Sequence, residues 1–271
     1  EMINPHVFWP MEENCQKLNV WSKDVTAKKP VMFWIHGGAY STGSSIEQPC
    51  YEGHNLCDQG DVVVVSINHR LNCLGYLNLS AYGETYRYSG NAGMLDIVAA
   101  LQWVQDNIAR FGGDPDNVTV FGQSGGGCKI MNLLCMPLSK GLFHKCIVQS
   151  GRNAETLPED AKLVAKKLFE ELGIAEGNVD ELKKVEYDRL RVAGDAALSK
   201  AGKEVGRSLM WSPVMDGEVQ SANAWTAASF PERGNEIPMI IGTVFGEMTS
   251  NAMDMLKNAE YEKNTWDSAK V

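Results

Sequence analysis

Val118-Thr119-Val120-Phe121-Gly122-Gln123-Ser124-Gly125-Gly126-Gly127 carries four residues of strand character into a serine ringed by glycine. An apolar run of helical character follows and stops near Pro137. Small residues two before and two after Ser124 let the backbone reverse sharply, holding the serine in a strained conformation with its hydroxyl at the edge of a sheet. The helix that begins there offers free N–H groups and the positive end of its dipole, both favourable to an oxyanion. Strand, glycine-flanked serine and helix in that order make Ser124 a candidate nucleophile. Gly122 and Gly127 also have the interval of a phosphate-binding loop, but Cys128 occupies the lysine position. Even with Lys129 taken as that lysine, Ile130 follows it where Ser or Thr would hold magnesium, so that reading fails.

Upstream of the serine, Leu18 to Trp21, Val31 to Ile35 and Val62 to Ile67 read as strands, the second an uninterrupted apolar run as in sheets buried on both faces and the third rich in β-branched residues. From Ala92 to Arg110 the spacing turns helical, with Leu101, Val104 and Ile108 on the apolar side, and Gly112, Gly113 and Pro115 end the helix. Lys145 to Gln149 is the next strand, and Ile237 to Ile241 is predicted to return a strand to the core. Strands alternating with helices predict an α/β fold, a mostly parallel sheet with helices on both faces. Between Glu159 and Glu204 charge is dense and Leu163, Val164, Leu168 and Leu172 recur at helical spacing, so this stretch reads as exposed amphipathic helices in an insertion or cap.

Directly after the second strand stands His36-Gly37-Gly38-Ala39-Tyr40. Small residues there allow successive backbone N–H groups to face a substrate carbonyl, the arrangement of an oxyanion hole, in which one donor is typically worth about 3 kcal/mol in the transition state. The glycine-flanked serine and this loop explain each other.

Composition narrows the function classes. The 271 residues hold 34 acidic against 25 basic side chains, a net charge of −9, which argues against a nucleic-acid partner, whose phosphates call for clustered Lys and Arg. No apolar run approaches the roughly 18 to 20 residues that span a bilayer. The seven cysteines are odd in number and follow neither a C-x-x-C nor a zinc-ligand spacing, which favours scattered reduced thiols and a cytoplasmic setting over a secreted one. Sequons at Asn78 and Asn117 scarcely alter that balance.

These motifs resemble the type-B carboxylesterases, the cholinesterase-like branch of the α/β-hydrolase superfamily. The similar stretches run in family order: residues 13–21 (ENCQKLNVW), the loop at 36–40, Ile67-Asn-His-Arg-Leu71 with Gly75, 109–115 (ARFGGDP), the serine segment, Gln149-Ser150-Gly151, 212–217 (SPVMDG) and 241–247 (IGTVFGE). The resemblance implies an α/β-hydrolase catalytic domain over residues 1–271, with 155–210 a helical cap segment within it. It implies a serine carboxylic-ester hydrolase acting through an acyl-enzyme on small-molecule esters, with no metal or cofactor. Ser124 would be the nucleophile, the N–H groups of Gly38, Ala39 and Gly125 the oxyanion donors, and Glu247 the triad acid. Met248 departs from the glycine usual after that glutamate; Asp216 is the competing acid, though Met-Asp-Gly reads as a turn. Gln123 replaces a glutamate common beside the nucleophile. Gly125 replaces a common alanine, which is expected to loosen the turn. Arg70 and Asp96 are expected to be structural partners.

One part of the constellation is missing. A serine hydroxyl needs a general base, and in the α/β-hydrolase order that histidine follows both nucleophile and acid. Histidines stand at 6, 36, 54, 69 and 144 and nowhere later. The expectation is a domain incomplete at both ends, its base carried by the remainder of the chain or by a second polypeptide. A non-catalytic cholinesterase-like binding or adhesion module is the alternative. His36 is expected to brace the loop after it, and His144 to sit at the wrong end of its strand.

Overall fold

The computed structural model describes residues 11–12, 14–152, 155–221, 236–244 and 247. In chain order they form β1 (Leu18–Trp21), β2 (Lys29–Ile35), α1 (His54–Gly60), β3 (Val63–Ile67), α2 (Asn72–Tyr76), α3 (Ala92–Asn107), β4 (Gly113–Gln123), α4 (Gly125–Leu134), β5 (Lys145–Gln149), α5 (Pro158–Leu172), α6 (Val179–Leu182), α7 (Tyr187–Val205) and β6 (Met239–Gly242).

The strands make one sheet in the order β1-β3-β2-β4-β5-β6. β1 is antiparallel to β3, and every other pairing is parallel. Apolar runs fill the middle: all five residues of β3 are buried, as are Phe33, Trp34 and Ile35 of β2, which fits strands covered on both faces. α3 lays Met94, Ile97, Leu101 and Val104 on the sheet, and Ile108 continues that stripe into a 3-10 turn over Ile108–Phe111. Gly112, at φ 79°, closes it. Each such buried side chain contributes roughly 1.5–3 kcal/mol through removal from water.

The charged region is helical, as its spacing predicts. Val164, Ala165, Leu168, Phe169 and Leu172 of α5 are buried, as are Ala193, Ala197, Leu198 and Ala201 of α7, while Lys166, Glu170, Asp195 and Lys200 between them face solvent. Pro158 with Glu159 and Asp160 in the first turn, and Gly173 in the left-handed region past the last, start and stop α5. α7 also meets α2: Asn72 Nδ2 donates to the Tyr187 hydroxyl at 3.0 Å.

Some boundaries differ from the sequence expectation. β4 begins at Gly113, ahead of the predicted start, and accommodates Pro115 where its register with β2 is irregular. The predicted core strand at 237–241 forms as β6, but Ile240 and Ile241 are 65% and 59% exposed, because among the described residues β6 is the outermost strand of the sheet. Among the described residues no helix is long and apolar enough to cross a membrane. Five of the seven cysteines are buried.

Candidate active site

Parallel strands bring their carboxyl ends to one edge of the sheet, and the candidate residues gather there. Gly122 pairs with Ile35 of β2 and Gln123 with Gln149 of β5, so β4 is held on both sides until its last residue. Ser124 then adopts φ 54°, ψ −121°, a conformation that costs an L-residue about 1–3 kcal/mol. Its N–H donates to Gln149 O at 2.8 Å, and its carbonyl accepts from Cys128 N–H at 3.0 Å, so strand and helix both pin the turn. Glycine is required on either side. A Cβ on Gly126 would lie 2.0 Å from Ile35 O, and one on Gly122 would lie 2.7 Å from the same oxygen. The backbones of β2, β4 and α4 meet there with no room for a methyl group.

Residues 37–39 run beside this turn. A Cβ on Gly37 would be 3.6 Å from the Ser124 Cβ. Gly38 and Ala39 both have positive φ, 79° and 51°. Among the described residues no hydrogen bond uses the N–H of Gly38, Ala39 or Gly125. Contrary to the expectation from its departure from alanine, Gly125 does not loosen the turn. The position a Cβ would take lies 2.4–2.5 Å from the O, Cα and N of Ala39, so the missing methyl lets the loop close against the start of α4.

Glu247 reaches the same edge. Its Oε1 accepts from Val244 N–H at 3.1 Å, and the Ser150 hydroxyl, with that amide, holds its carboxyl below the usual carboxylate range. Ser150 follows β5 at φ 50° and donates its own N–H to Gly242 O at 2.7 Å. Ser150 is therefore one residue from the carbonyl that receives the Ser124 amide. Sequence reasoning quoted Gln149-Ser150-Gly151 without giving Ser150 a role; its hydroxyl, one residue past a strand end, was the available signal.

The histidines within the described residues are poorly placed to act on Ser124. His36 is fully buried, and burial, together with Lys129, lowers its pKa to about 3. Its Nδ1 lies 2.9 Å from Gly37 O. Since a carbonyl only accepts, Nδ1 carries the proton and the ring braces the loop as expected. His69 stacks on it, centroids 4.7 Å apart and planes 7° from parallel; burial, then Lys129 and His36, holds its pKa well below the ordinary value. His144 Nδ1 accepts the Val118 N–H at 3.1 Å, at the amino end of β5. His54 starts α1 on the surface.

Sequence reasoning missed His69 and Lys129 here. Lys129 is fully buried, burial lowers its pKa to about 7, and its amine donates to His36 O at 3.2 Å. The competing acid behaves as a turn: Asp216 Oδ1 accepts the N–H groups of Glu218 and Gln220, both at 3.0 Å. Arg70 and Asp96 form the expected structural pair, bidentate at 2.9 and 2.7 Å. A recess of about 550 Å³ lies along α7, lined by Leu198, Lys203 and Arg207 among others, and none of its lining belongs to the turn at 124 or the loop at 36–40. Among the described residues no cluster of His, Cys, Asp and Glu could hold a metal ion.

Comparison with known proteins bears on the chain as a whole. The profile of the carboxylesterase family matches residues 2–271. The para-nitrobenzyl esterase of Bacillus subtilis (strain 168) is 44% identical over 241 residues, 87% of this chain and 47% of that protein. A solved esterase from anaerobic Clostridium hathewayi that can hydrolyse aliphatic aromatic polyesters superposes with a TM-score of 0.82 at 48% identity, covering 90% of this chain and 49% of its own. A Geobacillus stearothermophilus carboxylesterase, crystallised at pH 6.8, gives 0.78 at 37% identity over 96% of this chain and 54% of its own. The chain spans about half the length of these relatives.

Proposed function

The chain belongs to the carboxylesterase family, and from that membership together with the strained serine we propose that the protein is a serine carboxylic-ester hydrolase. The reaction is a two-step acyl transfer. Ser124 Oγ attacks the ester carbonyl carbon as a histidine imidazole takes its proton, and the oxyanion is received by the N–H groups of Gly38, Ala39 and Gly125. The tetrahedral species collapses with loss of the alcohol, which takes the proton back. Water then repeats the sequence on the acyl-serine and releases the acid. Glu247 orients the imidazole and balances its charge. No histidine follows His144 in residues 1–271, so in this reading the base is a residue these positions do not include.

The observation that carries the reading is Ser124 held at φ 54° beside a loop whose Gly38 and Ala39 N–H groups make no hydrogen bond among the described residues. Aryl and small alkyl esters are the first substrates to assay, supported by the names of the para-nitrobenzyl esterase and of the polyester-hydrolysing esterase among the relatives. The test treats the full-length protein with a chromogenic short-chain ester, with and without a fluorophosphonate that labels activated serines. Labelling at Ser124, and loss of turnover in Ser124→Ala, are expected. An unlabelled and inactive full-length protein would overturn the proposal in favour of a binding module on the same scaffold.

A further inference from the structure

α4 is almost wholly buried, and two of its buried residues are polar: Lys129 and Asn132, three positions apart and so on one face. Both reach the same short piece of chain. Lys129 Nζ donates to the carbonyl of His36 at 3.2 Å, the residue immediately before the loop at 37–39. Asn132 Nδ2 donates to the hydroxyl of Tyr40 at 2.8 Å, the residue immediately after it. The Tyr40 ring also lies 5.6 Å from the Lys129 amine and packs edge-on against Tyr76. An amine buried this deeply is costly to desolvate, and here its hydrogen bond goes to backbone at the threshold of the candidate oxyanion hole.

We propose that Lys129 and Asn132 are positioning residues, a two-point clamp by which α4 holds both ends of the 37–39 loop. The helix that begins with the nucleophile thereby also fixes the oxyanion donors. Among the described residues no other side-chain hydrogen bond joins residues 36–40 to α4, and the backbones approach closely where Gly125 meets Ala39 and Gly126 meets Ile35 and His36. The clamp therefore sets where the N–H groups of Gly38 and Ala39 stand relative to Ser124 Oγ, a distance on which transition-state stabilisation depends more than substrate binding does.

This inference rests on the esterase reading, and its test separates the two. In the full-length protein, Lys129→Met and Tyr40→Phe are compared with wild type for kcat and KM on p-nitrophenyl acetate. Inhibition by an aryl trifluoromethyl ketone, whose serine hemiketal places an oxyanion in the hole, is measured beside them. Hydrogen exchange is followed at the Ser41, Thr42 and Asn72 amides, which bond to Gly38 O and Tyr40 O. Expected in each variant are a kcat lowered by about tenfold or more, KM within about twofold, ketone inhibition weakened by the same factor as kcat, and faster exchange at the three amides. Wild-type kcat, inhibition and exchange in either folded variant would overturn the clamp, as would a rise in KM at unchanged kcat. Tyr40→Phe removes only one oxygen, so it decides the matter if Lys129→Met does not fold. If the wild-type protein is neither labelled nor active on esters, the esterase reading falls, and the exchange rates alone decide whether α4 holds the loop.

Discussion

Acid should unfold this protein earlier than its carboxylates alone would. His36 and His69 are buried against each other and against Lys129, and the fold keeps both neutral. Unfolded, each takes a proton below about pH 6.5; folded, His36 resists until about pH 3. The folded pKa lies below the unfolded one, so this contribution is fully present above pH 6.5 and is lost as the pH falls toward 3. Each group contributes a slope of about 1.4 kcal/mol per pH unit in that window, and His36 alone costs about 2 kcal/mol at pH 5. His69 shifts in the same direction, so the pair approaches two protons per molecule, about 2.7 kcal/mol per unit. Against a usual total of about 5–15 kcal/mol, that is enough to shift unfolding visibly. The measurement is urea unfolding of the full-length protein at several pH values between 8 and 5, beside His69→Gln. All other titrating groups are shared, so their contributions cancel in the difference. The variant's stability should fall less steeply, by about one proton. Parallel pH dependences would refute the claim that the fold holds His69 neutral.

Gly125→Ala sets a Cβ within 2.5 Å of three backbone atoms of Ala39, so the loop must retreat by roughly 1 Å and kcat should fall by about tenfold or more with KM little changed; a variant within twofold of wild type in steady-state assays would contradict the close approach. A polypeptide of residues 1–271 produced alone should hydrolyse p-nitrophenyl acetate only at a residual rate, because the described histidines are buried, on the surface at α1, or at the amino end of β5. Turnover approaching that of the full-length protein would show that a base is present within these residues.

The serine turn was legible because its requirements are local: glycines at 122, 125 and 126 announce a backbone with no room, and the structure shows the contacts that fill it. The strands of the middle sheet and the amphipathic faces of α5 and α7 were legible through hydrophobic period. α1 and α2 were not, since five to seven residues display too little of a 3.6-residue period to stand out from a loop. The His36–His69 stack escaped for another reason. It depends on β2 and β3 lying side by side with Trp34 opposite Ser66, and only that pairing brings the two histidines past the strand ends together. Lys129 looked like a failed phosphate loop because its partner is a carbonyl far away in sequence, and carbonyls carry no sequence signal. The effect of Gly125 was read with the wrong sign because it turns on the distance between the loop at 37–39 and the start of α4.

The strain at Ser124 bears on the history of such a sequence as well as its chemistry. Glycine adopts positive φ freely, so Ser124→Gly should relieve about 1 kcal/mol or more of backbone strain while deleting the hydroxyl. For a lineage no longer selected for hydrolysis, the mutation that destroys the nucleophile is therefore also one that stabilises the fold. On the proposed function, the strain kept at 124 is stability the fold gives up in order to present a nucleophile.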